Sequence, residues 1–139
     1  MAKTSIACIA FNEGKILVAH RNPTGQMGGR WEFPGGKVED GETDQVAIVR
    51  EFGEEFGVQV TVLESVTQAE FEHNGEKVQL HAWHIQVPHD GMTTPYVLTE
   101  HTDYKWVDIE EIPSLNFVDS DLKIYPAVKD FVQRKLSCR

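Results

Sequence analysis

Two cysteines in 139 residues exclude a disulfide framework and a cysteine-based metal site. Cys8 sits in an apolar, strand-like run with no sign of an activated thiolate, and Cys138 is the penultimate residue. Long apolar runs are also missing, so no membrane span is predicted. The opening MAKTSIACIA lacks the apolar stretch and cleavage site of a secretory signal, and a cytoplasmic location is the expectation. Cationic side chains are scarce: 13 Lys and Arg against 22 Asp and Glu leave a formal net charge of -9. A large footprint on a nucleic-acid polymer is thereby disfavoured, because such binding is driven by cations that neutralise phosphates. Small phosphorylated ligands stay open if a metal accompanies them. No repeat, low-complexity tract, Walker loop or linker rich in Pro, Gly and Ser divides the chain, and one domain over 1–139 is expected. The six histidines include no chelating pair: His81 and His84, three apart in a predicted strand, point to opposite faces. Trp31, Trp83 and Trp106 read most simply as core or pocket walls.

The spacing of apolar residues predicts two hairpins. Ser5 to Phe11 and Ile16 to Ala19 flank Asn12-Glu13-Gly14, and Val66 to Phe71 and Val78 to Val87 flank Asn74-Gly75, a dipeptide that tolerates positive φ. From Thr43 to Phe56 the period changes to that of a helix, with Thr43 as N-cap, Gly57 as terminator and Val49, Phe52 and Phe56 on the apolar stripe. Its glutamates are expected on a different face. Gly53 costs roughly 1 kcal/mol against alanine there, and close approach of another segment would explain it. A strand at Tyr104 to Val107 and a last helix from near Pro126 to about Leu136, with Val128, Phe131 and Val132 inward, complete the reading. This order predicts an α/β (α+β) fold, a mixed sheet covered by helices.

Within the first helix, REFGEEFG places Glu51, Glu54 and Glu55 three and four residues apart, so all three are expected on nearly one side. Like charges at that spacing repel by some tenths of a kcal/mol, and a hard divalent cation with oxygen ligands turns the repulsion into coordination. Arg50 and Glu54 also fit an ordinary i, i+4 ion pair.

A longer pattern surrounds this stretch: Gly36, five residues, Glu42, seven residues, then Arg50-Glu51-Phe52-Gly53-Glu54-Glu55-Phe56-Gly57-Val58. It resembles the Nudix box, with every fixed identity present and Phe52 where the family usually carries a branched aliphatic residue. The resemblance implies an α/β/α sandwich and metal-dependent hydrolysis of a nucleoside diphosphate linked to another group. It implies Mg²⁺, with Mn²⁺ possible in its place, and a nucleotide that arrives with the divalent metal. By resemblance Glu54 and Glu55 are metal ligands, joined by a backbone carbonyl of Gly35 or Gly36. Glu51 is the general base and a member of the same metal cluster, with Glu54 the alternative base, and Arg50 orients a glutamate. Glu100, six residues before Trp106, matches a glutamate that approaches the metals in MutT-like members.

HRNPTGQMGGRWEFPGGK, residues 20 to 37, resembles the segment before the box in the MutT subgroup. The resemblance implies that Arg21 contacts phosphate or nucleotide, that Glu32, Phe33, Pro34 and Gly35 line the pocket, and that Lys37 lies near the phosphates. Gln26 and Met27 fall in a loop that covers the base. Arg21 and Lys37 equally fit surface charge on snorkelling stems. In LNFVDSDLKIYPAV, Asp121 is the closest match to the residue that reads the base and Asp119 the second. An asparagine stands there in bacterial MutT, whereas an ionised aspartate only accepts hydrogen bonds. Either aspartate equally fits an N-cap of the last helix.

The main expectation is therefore a MutT-like hydrolase of nucleoside triphosphates, oxidised ones such as 8-oxo-dGTP included, that releases monophosphate and pyrophosphate in nucleotide pool sanitation. The alternatives are CTP, ADP-ribose or a dinucleoside polyphosphate as substrate, and a ligand-sensing module without turnover. The expected assembly is a monomer or homodimer.

Overall fold

Alternation along the first strand sets the architecture. In β1 (Lys3–Ile9), Ile6 and Cys8 join one hydrophobic core and Ala7 and Ile9 the other, and all four are buried. Such a strand must be covered on both faces. The computed structural model describes residues 3–21, 29–99 and 101–137. The strands that follow are β2 (Phe11–Asn12), β3 (Lys15–Arg21), β4 (Trp31–Glu32), β5 (Gly35–Lys37), β6 (Thr61–His73), β7 (Glu76–Gln86) and β8 (His101–Asp108). Helix α1 (Asp44–Phe56) separates β5 from β6, and a 3-10 turn at Ile109–Ser114 leads to helix α2 (Asp119–Ser137).

One sheet has the order β5-β1-β7-β6 and is mixed, since β1 runs parallel to β7 and antiparallel to β5. The other centres on β3, which pairs antiparallel with β2, β4 and β8. Helix α1 packs Ala47, Ile48, Phe52 and Phe56 onto one face with Ile6, Cys8, Leu17 and Ala19. Helix α2 packs Ile124, Val128, Phe131 and Val132 onto the other with Ile9, Ile16, Val18 and Val107. Helices thus sandwich the β layer, as the sequence predicts. Among the described residues, no helix is long and apolar enough to cross a membrane.

The Asn74-Gly75 hairpin forms, with φ of 51° and 78° at its two turn residues. The first hairpin differs from its expectation. Only Phe11–Asn12 pairs with the start of β3 across Glu13-Gly14, while Ser5 to Ile9 belong to the other sheet. The strand is a central one, and only its continuation past Ala10 returns along β3. The apolar stripe of α1 is also shifted by one residue: Ile48, Phe52 and Phe56 are buried and Val49 is 38% exposed. Both spacings fit one helical stripe, and burial with Leu17 and Ala19 selects Ile48. Helix α2 starts at Asp119, seven residues ahead of Pro126, which lies inside it. An interior proline costs ~3 kcal/mol, and the buried stripe from Ile124 to Val132 offsets that cost. A methyl on Gly53 would meet nothing within 4 Å, so close approach does not account for this glycine.

Candidate active site

Local chemistry sets the ends of α1. The Thr43 hydroxyl accepts a hydrogen bond from Val46 N at 3.2 Å, and Gly57 closes the helix in the left-handed region at φ 68°. Asp44, in the first turn, ties the helix to β7 by hydrogen-bonding His81 Nδ1 at 2.6 Å and Trp83 Nε1 at 2.9 Å. His84 turns instead to Glu64, at 3.0 Å, so the two histidines serve different carboxylates.

Arg50 is the hub of the helix's inner side. Its Nε and one terminal nitrogen donate to the two oxygens of Glu42 at 2.7 and 2.8 Å. That nitrogen also donates to the Lys37 carbonyl at 3.0 Å, and the other terminal nitrogen donates to Glu51 Oε1 at 2.9 Å. Such a planar fork gives geometric specificity as well as charge. The hydrogen bonds from Arg50 hold the Glu42 carboxyl down at about 2, with help from the Glu39 backbone. Arg50 pairs with Glu54 as well, at 3.6 Å, so the expected ion pair exists inside a larger clamp.

Glu51 is only 13% exposed, because it lies on the backbone of β5. A methyl at Gly36 would fall 2.4 Å from Glu51 Cδ, and one at Gly35 would fall 1.9 Å from the Ile6 carbonyl oxygen. Both glycines are thus demanded by close approach. Burial raises the Glu51 carboxyl above the usual range, the Arg50 hydrogen bond and charge and a hydrogen bond with Glu55 oppose the rise, and the Glu54 charge adds to it. Glu55 is buried too, which corrects the expectation that the glutamates avoid the packed side of the helix. Glu54 departs in the other direction: at 62% exposed it turns toward solvent, so the three carboxylates do not converge on one point. Among the described residues no three Asp, Glu, His or Cys side chains already form a metal cage.

The donor set nevertheless fits a hard divalent ion. Glu51, 13% exposed, and buried Glu55 share a hydrogen bond, and with Glu54 of the same helix they offer three carboxylates as oxygen ligands. Mg²⁺ takes few carboxylates and keeps several waters, so it needs no complete protein cage. Glu51, Glu54 and Glu55 are the side chains that would hold it. Glu100, expected to join them, lies outside the described residues, as does Gln26.

A second polar cluster stands at the ends of β3, β4 and β8. Arg21 donates to both oxygens of Glu32, at 3.0 and 3.1 Å, and His101 Nε2 lies 2.8 Å from Glu32 Oε2. Phe33 turns its ring into the core edge-on to Phe117, which corrects its expected place as a pocket-lining side chain. Its backbone N–H instead donates to Asp121 Oδ2 at 2.9 Å. Pro34 contributes its carbonyl to Cys8 N at 2.7 Å, and the Lys37 side chain is exposed. Asp121 is 6% exposed, and burial, reinforced by the negative charge of Glu32, pushes its carboxyl up to about 8. Asp119 and Asp121 are the first and third residues of α2, so neither stands at the capping position before it. Asp119 is exposed and pairs with Arg30 at 3.4 Å.

The two clusters are joined. The His101 ring stacks on Phe56, the neighbour of Glu55, with centroids 5.5 Å apart. Thr99 Oγ1 donates to the Glu54 carbonyl at 3.0 Å, and Val97 N to that of Phe56 at 3.1 Å. Buried Cys8 lies between them, its thiol pushed well up by burial and by the charges of Glu55, Glu51 and Asp121. Such a thiol is not activated. Sequence reasoning overlooked His101 entirely and saw Glu42 only as part of a pattern. The fixed place of Glu42 eight residues before Arg50 was a usable signal, whereas nothing local marks His101.

The NUDIX domain family model matches residues 1–128. The CTP pyrophosphohydrolase of Escherichia coli (strain K12) is 36% identical over 122 residues, 88% of this chain and 87% of that protein. An 8-oxo-dGTP diphosphatase of Proteus vulgaris is 47% identical over 53 residues, 38% of this chain and 47% of that one. The crystal structure of a MutT protein from Methanosarcina mazei Go1 superposes with a TM-score of 0.77 at 25% identity, covering 96% of this chain and 94% of the other.

Proposed function

The chain belongs to the Nudix superfamily, in its MutT-like part, whose members are hydrolases of nucleotide pyrophosphate bonds, and on that premise we propose that it cleaves a nucleoside triphosphate to the monophosphate and pyrophosphate. The observation that carries this reading is the Arg50 clamp, which presses Glu51 onto Gly36 beside Glu55. Nudix hydrolases generally use divalent metals, and Mg²⁺, with Mn²⁺ as substitute, suits all-oxygen donors. Once bound, such an ion supplies Lewis acidity toward phosphate oxygens and makes nearby water more acidic.

The protein's own residues then divide the work. Glu51 takes the proton of the attacking water, with Glu54, exposed on the same helix and paired with Arg50, the alternative base. Glu54, Glu55 and a carbonyl of Gly35 or Gly36 would hold the ion, with Glu100, which lies outside the described residues, as a further ligand. Arg50 keeps Glu51 aligned. A raised carboxyl pKa suits a general base working near neutrality.

For the base, Glu32 and Asp121 form an unequal pair. Glu32, bound by Arg21 and His101, accepts hydrogen bonds; Asp121, protonated near neutral pH, also donates. An amino donor next to a ring acceptor, as on cytosine, meets both. The similarity along most of the chain to a CTP pyrophosphohydrolase supports CTP-type substrates as the first to test. The neutral Asp121 also favours a second reading, 8-oxo-dGTP, because it offers the donor that an ionised aspartate lacks.

A panel of CTP, dCTP, 8-oxo-dGTP, dGTP, ATP, ADP-ribose and a dinucleoside polyphosphate, assayed with Mg²⁺ and pyrophosphatase, tests the proposal. The highest kcat/KM is expected on a triphosphate, with pyrophosphate as product. Faster turnover of ADP-ribose or a dinucleoside polyphosphate overturns the substrate class, and binding without turnover overturns the enzyme.

A further inference from the structure

The register between β3 and β8 slips at one point. Ala19 faces Tyr104 and His20 faces Asp103, but Arg21 faces His101, so Thr102 is the extra residue of a bulge. A bulge re-aims the side chains beyond it. Here it brings Arg21 and His101 opposite each other, and both reach the same carboxylate, Glu32 on β4. Thr102 is not wasted, since its hydroxyl lies 2.9 Å from His20 Nδ1.

The His101 side chain is 3% exposed and packed against Phe56, so it has little room to serve as a surface contact. Glu32 Oε2 is engaged by both Arg21 and His101, and Oε1 by Arg21 alone. A carboxylate oxygen has room for about two hydrogen bonds. Among the described residues, Oε1 is thus the oxygen left with capacity for a ligand's N–H.

We propose that His101 is a positioning residue for substrate recognition: held by the bulge and by Phe56, it fixes the Glu32 carboxylate so that Oε1 presents to the nucleobase. This rests on the reading above that Glu32 contacts the nucleotide. Because the base lies away from the reacting phosphate, losing this alignment removes binding shared by ground and transition states. KM then rises while kcat is kept.

Steady-state kinetics of the full chain on its best triphosphate test the idea with four variants. His101→Phe keeps the ring stack and removes the donor; His101→Asn, too short to reach Glu32, is a second deletion should the first fold poorly. Each should raise KM roughly tenfold, in line with a hydrogen bond to a charged group, with kcat within about twofold. His101→Gln, whose amide reaches the Nε2 position, should recover most of the loss. In a Glu32→Gln background, His101→Phe should add less than about twofold, since the two residues act through one contact. A defective Glu32→Gln beside normal KM in both deletion variants overturns the role of His101 and leaves that of Glu32 standing. A harmless Glu32→Gln overturns both. Equal losses in kcat with KM unchanged also overturn it, marking His101 as structural alone.

Discussion

Glu51 occupies the space that a side chain on Gly36 would need: a methyl there would sit 2.4 to 2.6 Å from the three atoms of its carboxyl group. The neighbouring Gly35 faces backbone instead, 1.9 Å from the Ile6 carbonyl oxygen. The two glycines should therefore fail differently. Gly36→Ala displaces the end of a flexible side chain, so thermal melting should move only a few degrees while kcat falls at least tenfold. Gly35→Ala must push β5 off β1, and its melting temperature should drop far more, at about 4 °C per kcal/mol for a domain of this size. Calorimetry beside turnover separates the two, and equal melting losses would contradict the contact.

Glu51→Gln and Glu54→Gln should each depress turnover by orders of magnitude with the fold retained. Calorimetric titration with Mn²⁺ and nucleotide should show weakened uptake in Glu55→Gln and in Glu54→Gln. Survival of activity in both the Glu51 and Glu54 variants would remove them from the mechanism.

Glu42 makes a separate prediction about acid. Its folded carboxyl is lowered from 4.5 to about 2 by Arg50, so its stabilising contribution is present above about 4.5 and is lost as pH falls toward 2. Urea unfolding of Glu42→Gln across that window should lose less stability on acidification than the parent protein. Parallel slopes would show that the Arg50 clamp is not what titrates.

Asp121 acts with the opposite sign. Its carboxyl is raised from 3.8 to about 8, so folding takes up a proton between those values and stability declines as pH rises through them. Asp121→Asn should flatten that decline. If the neutral acid donates to the base, KM should climb above pH 8 in the parent protein and lose that dependence in the variant.

Gly53 stands in α1 with nothing near it, so Gly53→Ala should stabilise the protein by roughly 1 kcal/mol, readable as a higher melting temperature. A lower one would mean that the glycine meets a need absent from the folded contacts.

Helix α1 was legible from its own residues because its signals are local: a hydroxyl three residues from the N–H it caps, a glycine at the left-handed turn, carboxylates repeated at three and four. The Nudix pattern, and with it the acid cluster and its arginine, is short-range for the same reason. The error at Val49 came from phase, since several apolar residues competed for one stripe and only packing on Leu17 and Ala19 selected Ile48. Pro126 misled because its cost is local, whereas the burial of Ile124, Val128 and Phe131 that outweighs it is made with distant strands. Order along the chain thus decided which chemistry α1 carries. Folding in three dimensions decided that Glu55 is covered and Glu54 is not, that Asp121 is buried against the Phe33 backbone N–H, and that a one-residue slip brings His101 to Glu32. These depend on registers and contacts between residues tens of positions apart, whose free energy exists only once the sheets and helices are packed together.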